Sequence, residues 1–288
     1  MAKRAMRSLA VVPMLIAPVF LWGQARSPAL VSYYGKTPVL DGVLSPGEWN
    51  DATEFRGAKD WWADFHPVTD DADLSVKGYL KHDDKFIYLA ADVTDNLLYG
   101  IDTDRYLPAS NPKAHELTRE GFPWLGDEME ILLNAANAPP RGEVEGNGSS
   151  WQMVCNLTKS RTGGVGVGGI LEGEPRSRLA AWETYRKWIE NGAQKCAVKR
   201  KPEGKGYVLE WAIRFDPCLE VAAGQFYSPD MGQAEMRAKI VLGDMDRKED
   251  GSGNPYNFRH EQWYAPAGDP GVRRAWGYLQ VMGRQKKP

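Results

Sequence analysis

The residues best suited to chemistry lie in one segment, where an aromatic ring and carboxylates precede an apolar run. Trp124 is followed by Asp127, Glu128 and Glu130, and the segment ends at Asn134. In an extended strand successive side chains point to opposite faces, so Glu128 and Glu130 share one face. That polar face can meet a ligand. The opposite face should anchor in a core through Met129, Ile131 and Leu133.

Paired carboxylates raise the question of glycoside hydrolysis, which needs two carboxyl groups about 5 to 10 Å apart. Glu128 and Glu130 would be about 7 Å apart on one strand, so their spacing alone does not exclude this chemistry. The four histidines lie in different segments, without His-Glu-x-x-His spacing, and the chain has no Gly-x-Ser-x-Gly elbow. We therefore expect a non-catalytic protein, and place a free-standing hydrolase last among the alternatives.

The elements that position these residues are mostly strands. The segment from Asp73 to Leu80 alternates, Asp83-Asp84-Lys85 predicts a turn, and an apolar strand returns from Phe86 to Val93. Many short strands with Gly and Pro turns are typical of a sandwich. Further strands are predicted at Pro38–Asp41, Asp127–Asn134, Ser150–Asn156, Lys195–Arg200, Gly206–Phe215, Ala234–Asp244, Glu261–Ala265 and Gly277–Met282.

Two segments do not read as strands. Tyr99 to Pro123 is polar and proline-rich, and predicts a long loop beside Trp124. The glycine run from Gly163 to Gly169 lacks a phosphate-loop pattern and predicts a flexible loop, followed by a helix from Arg176 to Ile189. The predicted fold class is therefore all-β: an antiparallel, jelly-roll-like β-sandwich with long loops and one inserted helical and glycine-rich segment.

The first 25 residues have the pattern of a secretory signal peptide. Lys3, Arg4 and Arg7 precede an apolar run, and small residues follow near Gly23. Residues 26–288 are then one domain, secreted or periplasmic, with no later segment long enough to span a membrane. Without those three cations, 33 of the 36 basic residues remain, compared with 38 acidic residues. A mildly acidic chain without a basic stripe does not predict a nucleic-acid partner.

The three cysteines, Cys155, Cys196 and Cys218, lack metal-ligand spacing. At most one pair can form a disulfide, and the sequence does not say which. Asp244, Asp246 and Asp250 are spaced somewhat like a calcium loop, but Lys248 and Glu249 occupy positions where an EF-hand needs an oxygen ligand and a glycine.

Several segments, in order, resemble family 9 carbohydrate-binding modules. Tyr34 to Leu44 with Glu48-Trp49 resembles their opening, where a short apolar strand enters an Asp-Gly turn. The Phe86–Leu89 hairpin with Asp92 and Asp95, the Trp124 segment, Gly206–Phe215 and Trp276–Leu279 resemble later segments. The resemblance implies a β-sandwich, a carbohydrate as the binding partner, and structural calcium. A module of this kind would support polysaccharide breakdown by a separate enzyme. Oxygen ligands for calcium would come from Asp41, Asp92 and Asp95.

The resemblance also implies the sugar contacts. Pyranose C–H faces stack on flat aromatic rings, while hydroxyls pair with carboxylates and amides. Trp124, Glu130 and Asn156 match the family's binding Trp, Glu and Asn. Candidates for a second stacking ring are Trp263, Tyr264 and the pair Trp61-Trp62. Val154 and Val241 stand where the family has a binding Arg and Gln. The identity of the sugar therefore stays open, and a scaffold that has lost sugar binding is an alternative.

A further alternative is a haem-binding domain of the DOMON type used in electron transfer. Met129, Met153 or Met282 would then face a haem, although no Cys-x-x-Cys-His attachment site is present. Methionine in an alternating apolar strand is more typical of a core.

Overall fold

The chain forms a β-sandwich, which we describe from a computed structural model. The structure describes residues 29–58, 61–99, 126–136, 150–157, 165–169, 187–246, 259–264 and 277–288. The strands are β1 (Ala29–Tyr34), β2 (Thr53–Gly57), β3 (Trp62–Phe65), β4 (Leu74–His82), β5 (Phe86–Asp95), β6 (Glu128–Asn134), β7 (Ser150–Asn156), β8 (Val165–Gly169), β9 (Gln194–Arg200), β10 (Tyr207–Arg214), β11 (Glu220–Ala222), β12 (Gln225–Phe226), β13 (Gln233–Met245), β14 (Arg259–Tyr264) and β15 (Gly277–Met282). Short helical segments cover Pro202–Gly204, Phe215–Cys218 and Pro229–Met231.

Two sheets share strand β1. Sheet I has the order β8-β7-β6-β13-β15-β1, with β14 beside β13 and β3 beside β14. Sheet II has the order β1-β4-β5-β10-β9, with β2 beside β4. The first half of β1 pairs with β15 and its last two residues pair with β4, so this strand passes from one sheet to the other. Both pairings of β1 are parallel, whereas the other ladders of the described strands are antiparallel.

The main core fills the space between the sheets. It takes alternate residues from sheet I, among them Met129, Ile131 and Leu133 of β6, as the alternation predicted. Sheet II contributes residues such as Leu89 and Trp211. A smaller cluster on the outer face of sheet II packs Trp49 and Ala52 against Tyr88, Ala90 and Ala212. The predicted β-sandwich is therefore confirmed.

Local chemistry explains the hairpin of β4 and β5. Asp83 begins the turn, and its Oδ1 accepts hydrogen bonds from the backbone N–H groups of Lys85 (2.7 Å) and Phe86 (2.9 Å). A side chain that satisfies two turn amides favours a tight reversal. The turn and both strands lie where the sequence predicted them.

Two local predictions were wrong. Residues 38–41 do not form a strand; the backbone there turns at Asp41-Gly42, and both N–H groups donate to Oε2 of Glu210 on β10. The glycine run was predicted to be a loop, but Val165–Gly169 is strand β8, paired with β7. Only Val165 and Val167 have side chains in this strand, and glycine is typical of loops, so the alternating pattern was too short to indicate a strand.

Other predictions fall partly or wholly outside the described residues. These are the signal peptide, Trp124, most of the Tyr99–Pro123 loop, the Asp250 loop and most of the helix predicted from Arg176, of which residues 187–190 are helical. No helix among the described residues is long and apolar enough to cross a membrane.

Candidate functional site

Glu130 lies in the middle of sheet I, in a row of backbone positions that crosses several strands. On one side it is opposite Val154 of β7, and on the other it is opposite Val241 of β13. Val241 is in turn opposite Trp263 of β14, and Trp263 is opposite Trp62 of β3. The order of the strands thus brings together residues that are far apart in the sequence. We call this the Glu130 row.

A second row runs one step along the strands, with Glu128 at its centre. Glu128 is opposite Asn156 of β7 and Gly243 of β13, and Gly243 is opposite Glu261 of β14. A Cβ atom added at Gly243 would lie 2.5 Å from Glu128 Oε1, so the carboxylate occupies the space above this glycine. The lack of a side chain at Gly243 therefore leaves room for the Glu128 carboxylate on this face of the sheet.

The polar face of β6 is buried as fully as its apolar face. The exposed fraction of Glu130 is 1 %, and those of Glu128 and Lys239 are 0 %. Lys239 of β13 is opposite Leu132, one row from Glu130, and supplies a positive charge on the same face. Val154 and Val241, the apolar neighbours of Glu130, are buried as well.

The other predicted contacts are placed as follows. Asn156 ends β7 opposite Glu128, and Trp263 lies in the Glu130 row. Tyr264 is opposite Ile240 of β13, a core residue, so its position alternates with that of Trp263. Trp124 lies outside the described residues. The backbone thus brings Glu130, Asn156 and Trp263 into adjacent rows of one sheet.

A group of buried carboxylates joins the two sheets near this end of β6. Oxygens of Asp95, Asp127 and Asp244 all lie within 4.8 Å of one another. Asp95 ends β5 in sheet II, whereas Asp127 precedes β6 and Asp244 lies on β13, both in sheet I. Asp244 also forms a second such group with the less buried Asp73 and Asp246. We call these residues the aspartate cluster.

Hydrogen bonds satisfy only part of the aspartate cluster. Asp127 accepts from the backbone N–H of Tyr99, and its other oxygen accepts from that of Met245 at 3.1 Å. One oxygen of Asp95 accepts from Leu97 at 2.8 Å. Among the described residues, the other Asp95 oxygen and both Asp244 oxygens have no hydrogen-bond donor. Buried oxygens without donors, in a group of like charge, suit a hard cation such as Ca²⁺.

Burial and mutual repulsion make these carboxyl groups hard to ionise. Burial raises the pKa of Asp95 to about 7, and the charges of Asp246 and Asp73 act in the same direction. Burial likewise raises the pKa of Asp127, reinforced by Asp95, and that of Asp244, reinforced by Asp95 and Asp127. A cation among them would reverse this effect, since opposite charge favours the ionised form.

The structure separates the three aspartates expected to bind calcium. Asp95 belongs to the aspartate cluster. Asp41 is exposed, and its Oδ1 accepts from the backbone N–H of Val43 at 2.9 Å. Asp92 lies 2.5 Å from Lys201 Nζ in an ion pair. Neither belongs to the described groups that can surround a metal ion.

Sequence reasoning did not assign Asp127 to a metal site, and it set Asp244 aside because its loop departs from an EF-hand. The three carboxylates come from segments more than 30 residues apart in the chain, so no motif spacing could connect them. The available signal was position, because each lies at or beside the end of a predicted strand.

Comparison with solved structures concerns the whole sandwich. A family 9 carbohydrate-binding module from Caldicellulosiruptor kristjanssonii in complex with cellotriose matches with a TM-score of 0.53 and 15 % identity, over 90 % of this chain and 95 % of the module. A second structure of a family 9 module from that organism, in complex with glucose, matches with a TM-score of 0.54 and 13 % identity, over 91 % of this chain and 99 % of the module. The fold is that of a family 9 module.

A protein from Bacteroides uniformis described as a putative carbohydrate-binding protein matches the family 9 fold of this chain in the same way. Its TM-score is 0.52 at 13 % identity, over 88 % of this chain and 99 % of that protein. No family model and no curated protein matches the sequence. The likeness therefore rests on structure.

Two of the three methionines considered for haem binding pack as core residues. Met129 and Met153 are fully buried between the sheets, and Met153 Sδ accepts a hydrogen bond from Gln194 Nε2 at 3.3 Å. Met282 ends β15 and is partly exposed. None of the three matching structures is described as a haem protein. The relation to DOMON domains has no support.

Proposed function

We propose that this protein binds carbohydrate without catalysing its breakdown. The observation that carries the proposal is the fold shared over about nine-tenths of the chain with modules solved in complex with cellotriose and glucose. Those structures are described as carbohydrate-binding modules, which supports a binding role over a hydrolytic one.

The proposed site is the Glu130 row of sheet I and the adjacent row that contains Glu128. Trp124 would stack on a pyranose ring, with Trp263 or Tyr264 as the second ring, and Glu130 and Asn156 would pair with sugar hydroxyls. Val154 and Val241 flank Glu130 with methyl groups, so a sugar there would make fewer hydrogen bonds and more apolar contacts than at a site lined by Arg and Gln. Because Glu130 is buried, a sugar reaches it only if the residues above it move.

Isothermal titration calorimetry against glucose, cellotriose and other oligosaccharides tests this proposal. Trp124→Ala should weaken binding by about 1 to 3 kcal/mol, the scale of a lost aromatic contact. Glu130→Gln keeps the shape of the side chain and removes its charge, so it should weaken binding if the carboxylate contacts the sugar.

Glu210→Gln is the matched control. Glu210 is also a buried glutamate on a central strand, but it lies in sheet II, where it binds the backbone of Asp41 and Gly42. This variant should bind sugar as the parent does. Unchanged affinity in folded Trp124→Ala and Glu130→Gln proteins would place the site elsewhere, and a failure of every sugar to bind would favour the scaffold alternative.

We also propose that the aspartate cluster binds a structural calcium ion. Asp95, Asp127 and Asp244 would hold it, with Asp73 and Asp246 beside them, and the fit rests on the buried Asp244 and Asp95 oxygens that lack donors among the described residues. The ion would tie sheet I to sheet II, and it would neutralise charge that is otherwise buried without compensation.

The proposal includes export of the protein from the cytoplasm. The basic and apolar residues before residue 26 support export of the chain to the periplasm or beyond, where it would assist a separate glycoside hydrolase in polysaccharide breakdown. Mass spectrometry of the protein recovered from culture medium and periplasm tests the export step. A mature chain beginning near Ala25 is expected, and an intact Met1 in the cytoplasm would contradict it.

A further inference from the structure

Two cysteines from opposite sheets point into the same region of the core. Cys155 of β7 is opposite Met129 of β6, and Cys196 of β9 is opposite Trp211 of β10. Paired residues of antiparallel strands lie on the same face of a sheet, and Met129 and Trp211 both belong to the main core. Both thiols therefore face the space between the sheets. Cys155 is fully buried there, and Cys196 packs against the same cluster while partly exposed.

The alignment of β7 with β9 across the core brings these thiols together. Gln194 of β9 donates from Nε2 to the Met153 sulfur of β7 at 3.3 Å. Side chains two residues apart share a face of a strand, so the next core position along each strand is Cys155 and Cys196 respectively. Burial raises the pKa of the Cys155 thiol, and the neighbouring Cys196 thiol raises it further, as expected for two thiols that lie close together.

Cys218 has different surroundings. Its sulfur lies 3.4 Å from Gln194 Nε2 and 3.8 Å from the carbonyl oxygen of Ala193, so it lies at the Gln194 level of the core, one step from Cys196. Burial raises the pKa of Cys218 to about 12. Burial raises the pKa of Cys155 as well, so the contacts are what distinguish the two thiols: Cys155 is influenced by Cys196, whereas the described contacts of the Cys218 sulfur are with Gln194 and Ala193.

We propose that Cys155 and Cys196 form a disulfide that links sheet I covalently to sheet II, while Cys218 remains a free thiol. The oxidant is a partner disulfide, of the class carried by thiol–disulfide oxidoreductases. The partly exposed Cys196, as thiolate, attacks the partner disulfide; a mixed disulfide forms and one partner sulfur leaves as a thiolate. Cys155, as thiolate, then attacks the Cys196 sulfur, and the second partner sulfur leaves.

Protons and electrons balance in this exchange. Two cysteine thiols lose two protons and two electrons, and one partner disulfide becomes two thiols. Because Cys155 is fully buried in the folded protein, the second attack must take place before the core closes around it. The disulfide would restrict the unfolded chain over the segment from 155 to 196, and the stabilisation grows with the length of the closed segment.

Peptide mapping tests the proposal directly. The mature chain is refolded with a mixture of oxidised and reduced glutathione, alkylated in denaturant without reduction, digested and analysed by mass spectrometry. A cross-linked pair of peptides containing Cys155 and Cys196, with alkylation confined to Cys218, is expected. Three alkylated cysteines, or a cross-link that contains Cys218, would overturn the proposal.

Melting measurements with matched variants add a second readout. Reduction of the parent protein should lower Tm by about 10 °C, the scale expected for a segment of this length. Cys218→Ala should keep both the cross-link and this dependence on reductant. Cys196→Ser, at the partly exposed position, should lose both. A parent protein whose Tm does not respond to reductant, or a Cys196→Ser variant that still responds, would contradict the assignment. Neither result depends on sugar binding.

Discussion

Calcium should stabilise this protein strongly at pH 8 and weakly at pH 5. The aspartate cluster can bind a cation only after its carboxyl groups lose their protons. Burial raises the pKa of Asp95 to about 7, so below that pH calcium must displace a proton from this residue. Folded and calcium-free, the protein holds that proton more tightly than the unfolded chain does. Its stability should therefore fall as pH rises through about 7.

The magnitude follows from one group. Displacing one proton costs about 1.4 kcal/mol for each pH unit below the pKa. Between pH 7 and pH 5, Asp95 alone should therefore remove about 3 kcal/mol of calcium-dependent stabilisation. For a domain of this size this corresponds to about 5 to 10 °C in Tm. Burial also raises the pKa of Asp127 and Asp244, so any proton displaced from them steepens the change.

The assay compares Tm in saturating calcium with Tm in chelator at each pH from 5 to 8. Taking the difference at each pH removes the contribution of groups outside the cluster. Asp244→Asn should abolish the calcium effect, because it replaces a carboxylate of the proposed site with a neutral amide. Asp92→Asn, in an ion pair outside the cluster, is the matched control and should keep the calcium effect.

The reasoning would be refuted by an Asp244→Asn protein that responds to calcium as the parent does. It would equally be refuted by a calcium effect that does not change between pH 5 and pH 8. Loss of the effect in Asp92→Asn instead would move the site to the residues first expected from the sequence.

Two further predictions concern stability. Gly243→Ala should lower the free energy of unfolding by about 1 to 3 kcal/mol, because the added Cβ would lie 2.5 Å from Glu128 Oε1. Adding Glu128→Ala should recover much of this loss in the double variant. Urea unfolding measures both effects, and additive losses would contradict the contact. His82 is held neutral because burial lowers its pKa below 6.5, and its Nε2 donates to the carbonyl oxygen of Gly283 at 2.6 Å. The unfolded chain therefore binds the proton first and stability falls below about pH 6.5, so His82→Gln should flatten this acid limb by up to about 1.4 kcal/mol per pH unit; an unchanged slope would show that other groups cause it.

Side-chain periodicity predicted the positions of most strands but not which of their polar faces are buried. The alternation of Met129, Ile131 and Leu133 identified the core face of β6. The same alternation suggested that Glu128 and Glu130 face a ligand, but both are buried. Burial of a polar face depends on the strand order and on what covers the sheet, and neither is encoded within a strand. The strand β8 was missed for a different reason, since only Val165 and Val167 have side chains that could show an alternation.

The candidate site was predictable residue by residue, but its assembly was not. Resemblance pointed to Glu130 and Asn156, which the register places in adjacent rows. Trp62 was considered only as half of a tryptophan pair, and its position in the Glu130 row emerges from two ladders, β3 with β14 and β14 with β13. The aspartate cluster likewise depends on contact between the two sheets, which no local pattern reports.

The parallel pairing of β1 with β15 has a consequence for how the protein is made. Ala29 is opposite Tyr278, so this ladder joins residues separated by almost the whole chain. Because β1 is synthesised long before β15, its partner strand in sheet I is still missing when β1 is made. Contacts of such long sequence separation slow folding into the range of milliseconds to seconds. Sheet I therefore cannot close at this seam until β15 has been made and is free to pair with β1.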